Sequence, residues 1–424
     1  MTLLIGIGQA GGAIVDQMMD PQHFKHFSKA HKPLAINSTI KDLQSLKHIP
    51  RSNWLGLSET KGIVPGPTPG IESMVVGGFG KDPRLAQERI GKNMEALIAF
   101  FKDFAARETG AANLTSKTRN VATDGDEWEV TEQDVGTIPD AVLFLGFGGG
   151  TGCGTAALIA KALREASAGR TTIIVVGILP ATHEGSEDGA RGTHRQAWNT
   201  IFALDELEKV ADGFILVDNE RLAYAGEVER LFPDFNAYVA RAMADLLAAH
   251  LLDDLDLAKA GNMSLKVTDV RDIASAISFG TGDRGRRPGY ASIGWAADTT
   301  RKYRGYLLPG LGRRNVDCTA LLEVALRKQS IQDVRPEEAQ KNLGLVRLPL
   351  NLAKNPRFFP QTGQVEAKLG KMSRLQETHF GITIGRRPIV SVNTLLTFER
   401  KQLTRLQQIS DLAMRYNAGG VLGL

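Results

Sequence analysis

The chain has 424 residues, a formal net charge of +4 and two cysteines. The length predicts two or three domains, and two cysteines provide no disulfide framework, which is typical of a reducing compartment. Short basic clusters are scattered and not interleaved with aromatic residues, so no nucleic-acid partner is predicted. The apolar start of the chain is too short for a signal peptide, and no apolar stretch approaches the roughly 20 residues that span a bilayer. We therefore expect a cytoplasmic protein without a transmembrane segment.

The first part of the chain alternates between predicted strands and helices. Short apolar runs predict strands at residues 3–7, 33–37, 141–145, 171–176 and 213–217. Helices are predicted after the first strand, at residues 85–104 and at 155–168, and the polar residues 107–136 are interpreted as a surface excursion. This alternation is typical of a doubly wound parallel α/β sheet, which binds its ligands at the carboxyl ends of the strands.

A long helix predicted over residues 231–257 separates this N-terminal domain, residues 1–230, from a smaller mixed α/β domain at 258–400. Strands are predicted there at residues 290–296, 343–352, 380–384 and 389–398, and helices at 319–327 and 365–375. Residues 401–424 are predicted to form a C-terminal helix, at about 400–416, and a tail.

Two glycine-rich segments each follow a predicted strand. The second glycine loop, residues 148–154, has glycine at five of its seven positions. Backbone amides without side chains can close around phosphate oxygens, and the helix that follows directs its positive dipole end to the same place. Thr151 can add a hydroxyl donor. This loop has no Gly-Lys-Ser/Thr sequence, so it is not a Walker-type loop.

The first glycine loop, residues 6–12, also matches a dinucleotide-binding pattern. Gly6, Gly8 and Gly11 satisfy G-x-G-x-x-G. That fold also expects an acid at the end of the second strand to hold a ribose, where this chain has Asn37. It does not call for a second, denser glycine loop either. A dinucleotide-dependent oxidoreductase is therefore the less favoured interpretation.

The sequence GQAGG at residues 8–12, followed by GGGTGCG at 148–154, resembles the tubulin/FtsZ superfamily, whose signature is GGGTG-small-G. The sequence of the first glycine loop is most similar to the archaeal CetZ branch. The resemblance runs from the N-terminus to at least Ala296. It implies an N-terminal GTPase domain that binds GTP or GDP with Mg²⁺, and a protein that forms a head-to-tail homopolymer. By analogy with CetZ, we expect a role in cell shape.

The resemblance also implies which residues contact the nucleotide. They are Gly8, Gln9, Ala10, Gly11, Gly12, Asn37, Gly80, Lys81, Gly148, Gly149, Gly150, Thr151, Gly152, Cys153, Gly154, Glu184, Asn219, Phe232 and Asn236. In this set Asn37 lies near the phosphates and the metal, and Gly80 and Lys81 belong to a loop that covers the terminal phosphate. Cys153 occupies the small-residue position of the signature.

The last four of these residues form the guanosine end of the implied site. Glu184 contacts the ribose, although Asp188 replaces the arginine that the family has next. Phe232 stacks on the base, and Asn219 and Asn236 read its edge. Taken singly, Phe232 would be a core residue and Asn236 a helix cap. An amide can both donate and accept hydrogen bonds, which suits guanine, so we predict GTP over ATP.

An acidic pair, Asp269 and Asp272, lies three residues apart and would share one face of a helix. Acids in a first helical turn are ordinarily partners of the helix dipole. The resemblance offers a catalytic alternative, because the pair matches the family's D-x-x-D/E loop, which polarises water at the nucleotide of the neighbouring subunit. A register with Lys266 at the first acid is the other alignment. We predict an assembly-dependent, slow GTPase; the alternative is a GTP-dependent scaffold with little or no hydrolysis.

Overall fold

A computed structural model describes residues 2–21, 27–109, 138–182, 189–223, 228–248, 268–280, 287–300, 316–349, 352, 359–375, 377–385 and 388–418. The described strands are β1 (Thr2–Ile7), β2 (His31–Asn37), β3 (Trp54–Ser58), β4 (Gly62–Pro65), β5 (Asp140–Gly146), β6 (Thr172–Leu179), β7 (Gly213–Asp218), β8 (Ser278–Phe279), β9 (Arg287–Pro288), β10 (Tyr290–Thr299), β11 (Lys341–Pro349), β12 (Glu377–Gly385) and β13 (Ile389–Phe398).

The described α-helices are α1 (Gly8–Met18), α2 (Phe27–Ala30), α3 (Ile40–Gln44), α4 (Ile71–Met74), α5 (Pro83–Gly91), α6 (Met94–Thr109), α7 (Gly150–Ala166), α8 (Gly189–Leu207), α9 (Glu220–Ala223), α10 (Val228–Leu247), α11 (Val270–Ala276), α12 (Cys318–Arg327), α13 (Phe359–Gly370) and α14 (Thr404–Ala418). No helix in the described ranges is long and apolar enough to cross a membrane.

One 11-stranded mixed sheet runs through the molecule in the order β12-β11-β13-β10-β7-β6-β5-β1-β2-β3-β4. The strands from β3 to β7 in this order are parallel, as the doubly wound prediction requires. β10 pairs in parallel with β7 and antiparallel with β13. The strands assigned from sequence to a C-terminal mixed domain therefore continue the same sheet, and the α/β fold class is confirmed.

The central strands are buried on both faces. Along β5, Val142 and Phe144 pack with the helices of one face, and Leu143 and Leu145 pack with those of the other. Alternate residues of a strand point to opposite faces of the sheet, so a continuous apolar run fits a strand covered on both sides. This burial fixes the register of β5, and with it the place where the second glycine loop begins.

The long helix α10 is tied to the strands that extend the sheet. Asp245 accepts hydrogen bonds from the Trp295 indole and the Ser391 hydroxyl, each 2.9 Å long. Asn393 donates to the carbonyl of Ala242 at 2.7 Å. The part of the predicted helix at residues 249–257 lies outside the described residues, as do most of the predicted excursion at 107–136 and residues 419–424 of the tail.

Several helix boundaries differ from the predictions. The helix predicted at residues 85–104 is two helices, α5 and α6; at the break, the side chain of Asn93 donates to the carbonyl of Arg89 at 3.0 Å and satisfies one carbonyl at the end of α5. Before α14, residues Arg400–Gln402 form a separate 3-10 turn. α1 and α7 begin at Gly8 and Gly150, so most of each glycine loop is the first turn of a helix.

Candidate functional site

Both glycine loops lie at the carboxyl edge of the central strands. Ile7, the last residue of β1, pairs with Ile36 of β2 on one side and with Leu145 of β5 on the other. Parallel strands end at a common edge, so the first glycine loop, Asn37 and the second glycine loop are brought together there. β6 and β7 end at the same edge, where Leu179 pairs with Asp218.

The first glycine loop packs α1 directly against β5. A β-carbon on Gly11 would lie 2.0 Å from the carbonyl oxygen of Phe144, so only glycine fits. Gly8, by contrast, has a φ of +73° and no heavy atom within 4 Å of its β-carbon position. Gln9 is exposed and Ala10 half-buried. The loop is therefore closed towards the sheet and open on its other side.

The second glycine loop presents the amino end of α7 to an open space. Gly149 is the N-cap of this 17-residue helix and makes no side-chain cap, and no heavy atom lies within 4 Å of its β-carbon position. The first amides of a helix have no partner inside the helix, and together with the helix dipole they favour an anion. The side chain of Thr151 meets Ser38, with 2.7 Å between the hydroxyl oxygens.

A third loop, at Gly80 and Lys81, touches the second glycine loop. A β-carbon on Gly150 would lie 2.7 Å from the carbonyl carbon of Lys81. Gly80 and Lys81 both have positive φ, at 59° and 61°. The structure therefore brings the predicted phosphate-side loops together at this edge of the sheet. The side chain of Asn37 is engaged within its own loop, where it donates to Asp42 at 3.0 Å and accepts from the backbone amide of Thr39.

Asn199, in α8, joins the second and third loops and was not found from the sequence. Its buried amide nitrogen donates to the carbonyls of Gly148 at 2.8 Å and Lys81 at 3.0 Å. These partners lie 51 and 118 positions away in the chain. A single asparagine in a helix carries no signal of such a contact, so only the structure reveals it.

Cys153 serves the loop as a buried hydrogen-bond acceptor. The amide of Gly148 donates to its Sγ at 3.3 Å. Burial raises the pKa of the Cys153 thiol to about 12, so it stays protonated near neutral pH. A thiol is a poor nucleophile compared with a thiolate, and the side chain has a structural role here.

At the predicted guanosine end, Asn219 follows β7, and its backbone amide donates to the carbonyl of Leu179 at 3.2 Å. Asn236 lies in α10 and is half-buried. Phe232 lies one helical turn before it, but its side chain is outside the described residues, as is the whole of Glu184. Arg405, a residue that the sequence did not indicate, contacts the segments around Asn219.

The acidic pair lies at the opposite edge of the sheet. Asp269 and Asp272 form a capping box at the start of α11, in which Asp269 accepts from the amide of Asp272 at 2.8 Å and Asp272 from that of Asp269 at 3.0 Å. Burial raises the pKa of Asp140, the first residue of β5, while nearby Arg271 lowers it and Asp269 raises it further. The acids therefore lie near the amino ends of the parallel strands, where Ile277, directly after α11, packs against Gly213 at the start of β7. The second glycine loop follows the other end of β5, a strand about 20 Å long at the ~3.3 Å rise of a strand residue.

Comparison with known proteins agrees with this architecture. Residues 104–226, which include the second glycine loop and Asn219, match the GTPase domain of the Tubulin/FtsZ family. This segment of the chain thus has the sequence features of a tubulin/FtsZ-type GTPase domain. The family predicted from the two glycine loops is thus confirmed.

The similar proteins include several from archaea. The tubulin-like protein CetZ of Pyrococcus abyssi is 26% identical over 285 residues, which cover 66% of this chain and 60% of that protein. CetZ3 of Haloferax volcanii is 26% identical over 308 residues, covering 72% of this chain and 62% of its own length. The chain thus spans about 60% of the length of these curated relatives. The GTPγS-bound protofilament of Haloferax volcanii CetZ2 has the same fold, with a TM-score of 0.62 at 20% identity over 97% of this chain and 99% of that one.

Proposed function

We propose that this protein binds GTP at the carboxyl edge of its sheet, polymerises head to tail, and hydrolyses GTP slowly at the interface between subunits. The observation that carries the proposal is the separation of the two half-sites. The glycine loops and the acidic pair lie at opposite ends of β5. One subunit cannot bring them together, whereas a second copy placed end to end would.

The phosphates would lie over Gly8 and Gly149, where no heavy atom lies within 4 Å of either β-carbon position. Their charge would be stabilised by the amides of the two glycine loops, by the hydroxyl of Thr151 and by the dipole of α7. The third loop, with Gly80 and Lys81, adjoins this space. Of the other proposed contacts, Gly11, Gly150 and Gly154 serve mainly to let the backbone pack closely, which determines the shape of the two glycine loops.

Guanine recognition would fall to Asn219 and Asn236, whose amides can complement the donors and acceptors of the base. Among the described residues no group of three or more His, Cys, Asp and Glu side chains could hold a metal ion. Mg²⁺ is commonly bound through substrate phosphates and water; here the paired hydroxyls of Ser38 and Thr151 would adjoin it, and the ion would neutralise phosphate charge.

In the polymer, Asp269 and Asp272 of the neighbouring subunit would orient water for in-line attack on the terminal phosphate. A carboxylate can position such a water, while the amides and the helix dipole hold the phosphate charge. The capping box favours the second candidate function, a GTP-dependent scaffold with little hydrolysis, because both acids already have a structural role in the isolated subunit.

The test combines light scattering with phosphate release over a range of protein concentrations in GTP. We expect phosphate release to rise steeply above a critical concentration, because assembly completes the site. Release that is strictly proportional to protein concentration, with no scattering, would contradict the proposal. Scattering without phosphate release would favour the scaffold.

A matched pair of variants separates capping from catalysis. Asp317 is exposed and N-caps α12 by accepting from the amides of Thr319 and Ala320, much as exposed Asp269 caps α11. Asp269→Ala and Asp317→Ala should each cost about 1 kcal/mol of stability. Only Asp269→Ala should slow phosphate release per assembled subunit while retaining GTP binding. Equal rates in both variants would exclude the catalytic role.

A further inference from the structure

Arg405, near the start of α14, is a buried cation at the carboxyl edge of the sheet. Its side chain is 4% exposed. Its Nε lies 3.1 Å from a carboxylate oxygen of Asp218, and its Nη2 donates to Glu220 at 3.0 Å. The guanidinium also donates to the segment after β6, at the carbonyl of Pro180 and the hydroxyl of Thr182, both at 2.7 Å.

These contacts connect two segments that also bond each other. The backbone amide of Thr182 donates to the Glu220 carboxylate at 2.6 Å, and the backbone amide of Glu220 donates to the Asp218 carboxylate at 3.0 Å. A planar guanidinium with five donors in a fixed fork can hold several acceptors in one geometry, which an ammonium cannot. Arg405 is therefore the common partner of the chain after β6 and the chain after β7.

The arrangement is costly unless its geometry is fixed. Asp218 is fully buried, and burial raises the pKa of its carboxyl group, while Arg405 opposes that rise. Removing one partner of such a buried pair leaves an uncompensated charge, which is far more destabilising than the pair itself is stabilising. A buried ion pair is thus weak evidence for a purely stabilising role. The location of this pair, beside Asn219, suggests a second role in positioning that residue.

Asn219 lies between the two carboxylates that Arg405 holds. The backbone amide of Asn219 donates to the carbonyl of Leu179, and the backbone amide of Asp218 donates to the carbonyl of Ser330 at 2.9 Å. We infer that Arg405 is a positioning residue for guanine recognition. By binding Asp218 and Glu220, it fixes the backbone from which the side-chain amide of Asn219 contacts the base. The C-terminal helix is thereby part of the machinery of nucleotide specificity. This inference rests on the proposed function.

Arg405→Lys in the full-length chain tests the inference, with Arg400→Lys as the matched control. Arg400 also pairs with two carboxylates, but these lie close together, Asp205 in α8 and Glu208 directly after it. The measurement is the ratio of the dissociation constants for ATP and GTP, from competition against a fluorescent GTP analogue, together with the melting temperature. Loss of stability alone would weaken the binding of both nucleotides equally and leave this ratio unchanged.

We expect Arg405→Lys to lower the preference for GTP about tenfold, equivalent to about 1.4 kcal/mol, and Arg400→Lys to leave it unaltered. An unaltered preference in folded Arg405→Lys would overturn the inference. If that variant does not fold, Asp218→Asn, which keeps the shape of the side chain, takes its place: a reduced preference supports the inference and an unaltered one overturns it. A wild-type chain that binds GTP no better than ATP would instead overturn the proposed function, and the inference with it.

Discussion

Alanine at Gly149 is the sharpest test of where the phosphates lie. Gly149 is exposed, with φ −81° and ψ 162°, a conformation that alanine adopts without strain. No heavy atom lies within 4 Å of the new methyl group, so the free energy of unfolding should change by no more than about 0.5 kcal/mol. The methyl group would project into the open space at the amino end of α7, where we place the nucleotide.

The expected loss of affinity follows from the hydrogen bonds that the methyl group displaces. A hydrogen bond to a charged group contributes about 1.5–3 kcal/mol, so losing one such bond weakens binding about 10- to 150-fold. A titration with a fluorescent GTP analogue measures this, and thermal unfolding verifies the fold. Gly363→Ala is the control, because Gly363 is exposed in α13 and also has no heavy atom within 4 Å. Wild-type affinity in Gly149→Ala would show that the nucleotide does not occupy this space.

Two further predictions concern Asn199 and Cys153, whose side chains support the second glycine loop. Asn199→Leu removes the donor shared by the carbonyls of Gly148 and Lys81; it should lower the melting temperature by a few degrees and weaken GTP binding, and unchanged binding would contradict the bracing role. Because burial raises the pKa of Cys153 to about 12, its thiol should resist alkylation at pH 8 and react only on unfolding, as mass spectrometry after iodoacetamide treatment would show. Rapid labelling of the folded chain would refute this.

The sequence predicted the parts of the site that depend on local signals. An apolar run followed by glycine indicates a strand and a close-packed turn wherever the rest of the chain lies, and β1 and β5 with their loops were found in this way. The contacts of Asn199 and Arg405 were not predictable, because they join distant parts of the chain: Arg405 bonds Pro180 across 225 positions. Local composition holds no trace of such a pairing, since an arginine in a terminal helix is ordinarily exposed.

The break between α5 and α6 and the capping box show a different limit. Residues 85–104 have a helical pattern throughout, and at the interruption the Asn93 side chain bonds back to Arg89, a local alternative to the helix ladder that polar residues offer. For the acidic pair, the sequence left a cap and a catalytic role open. The structure shows the cap, and the catalytic role stays a prediction.

The cap and the proposed catalytic role are compatible because a carboxylate has two oxygens. In the capping box, Asp269 uses Oδ1 and Asp272 uses Oδ2. Each acid retains a second oxygen that could accept from water. The cap would hold both side chains in one conformation before assembly, so that little rotamer entropy is lost when the neighbouring nucleotide arrives. The capping box is thus compatible with a preorganised half-site at the amino edge, and the comparison of Asp269→Ala with Asp317→Ala separates the structural role from the catalytic one.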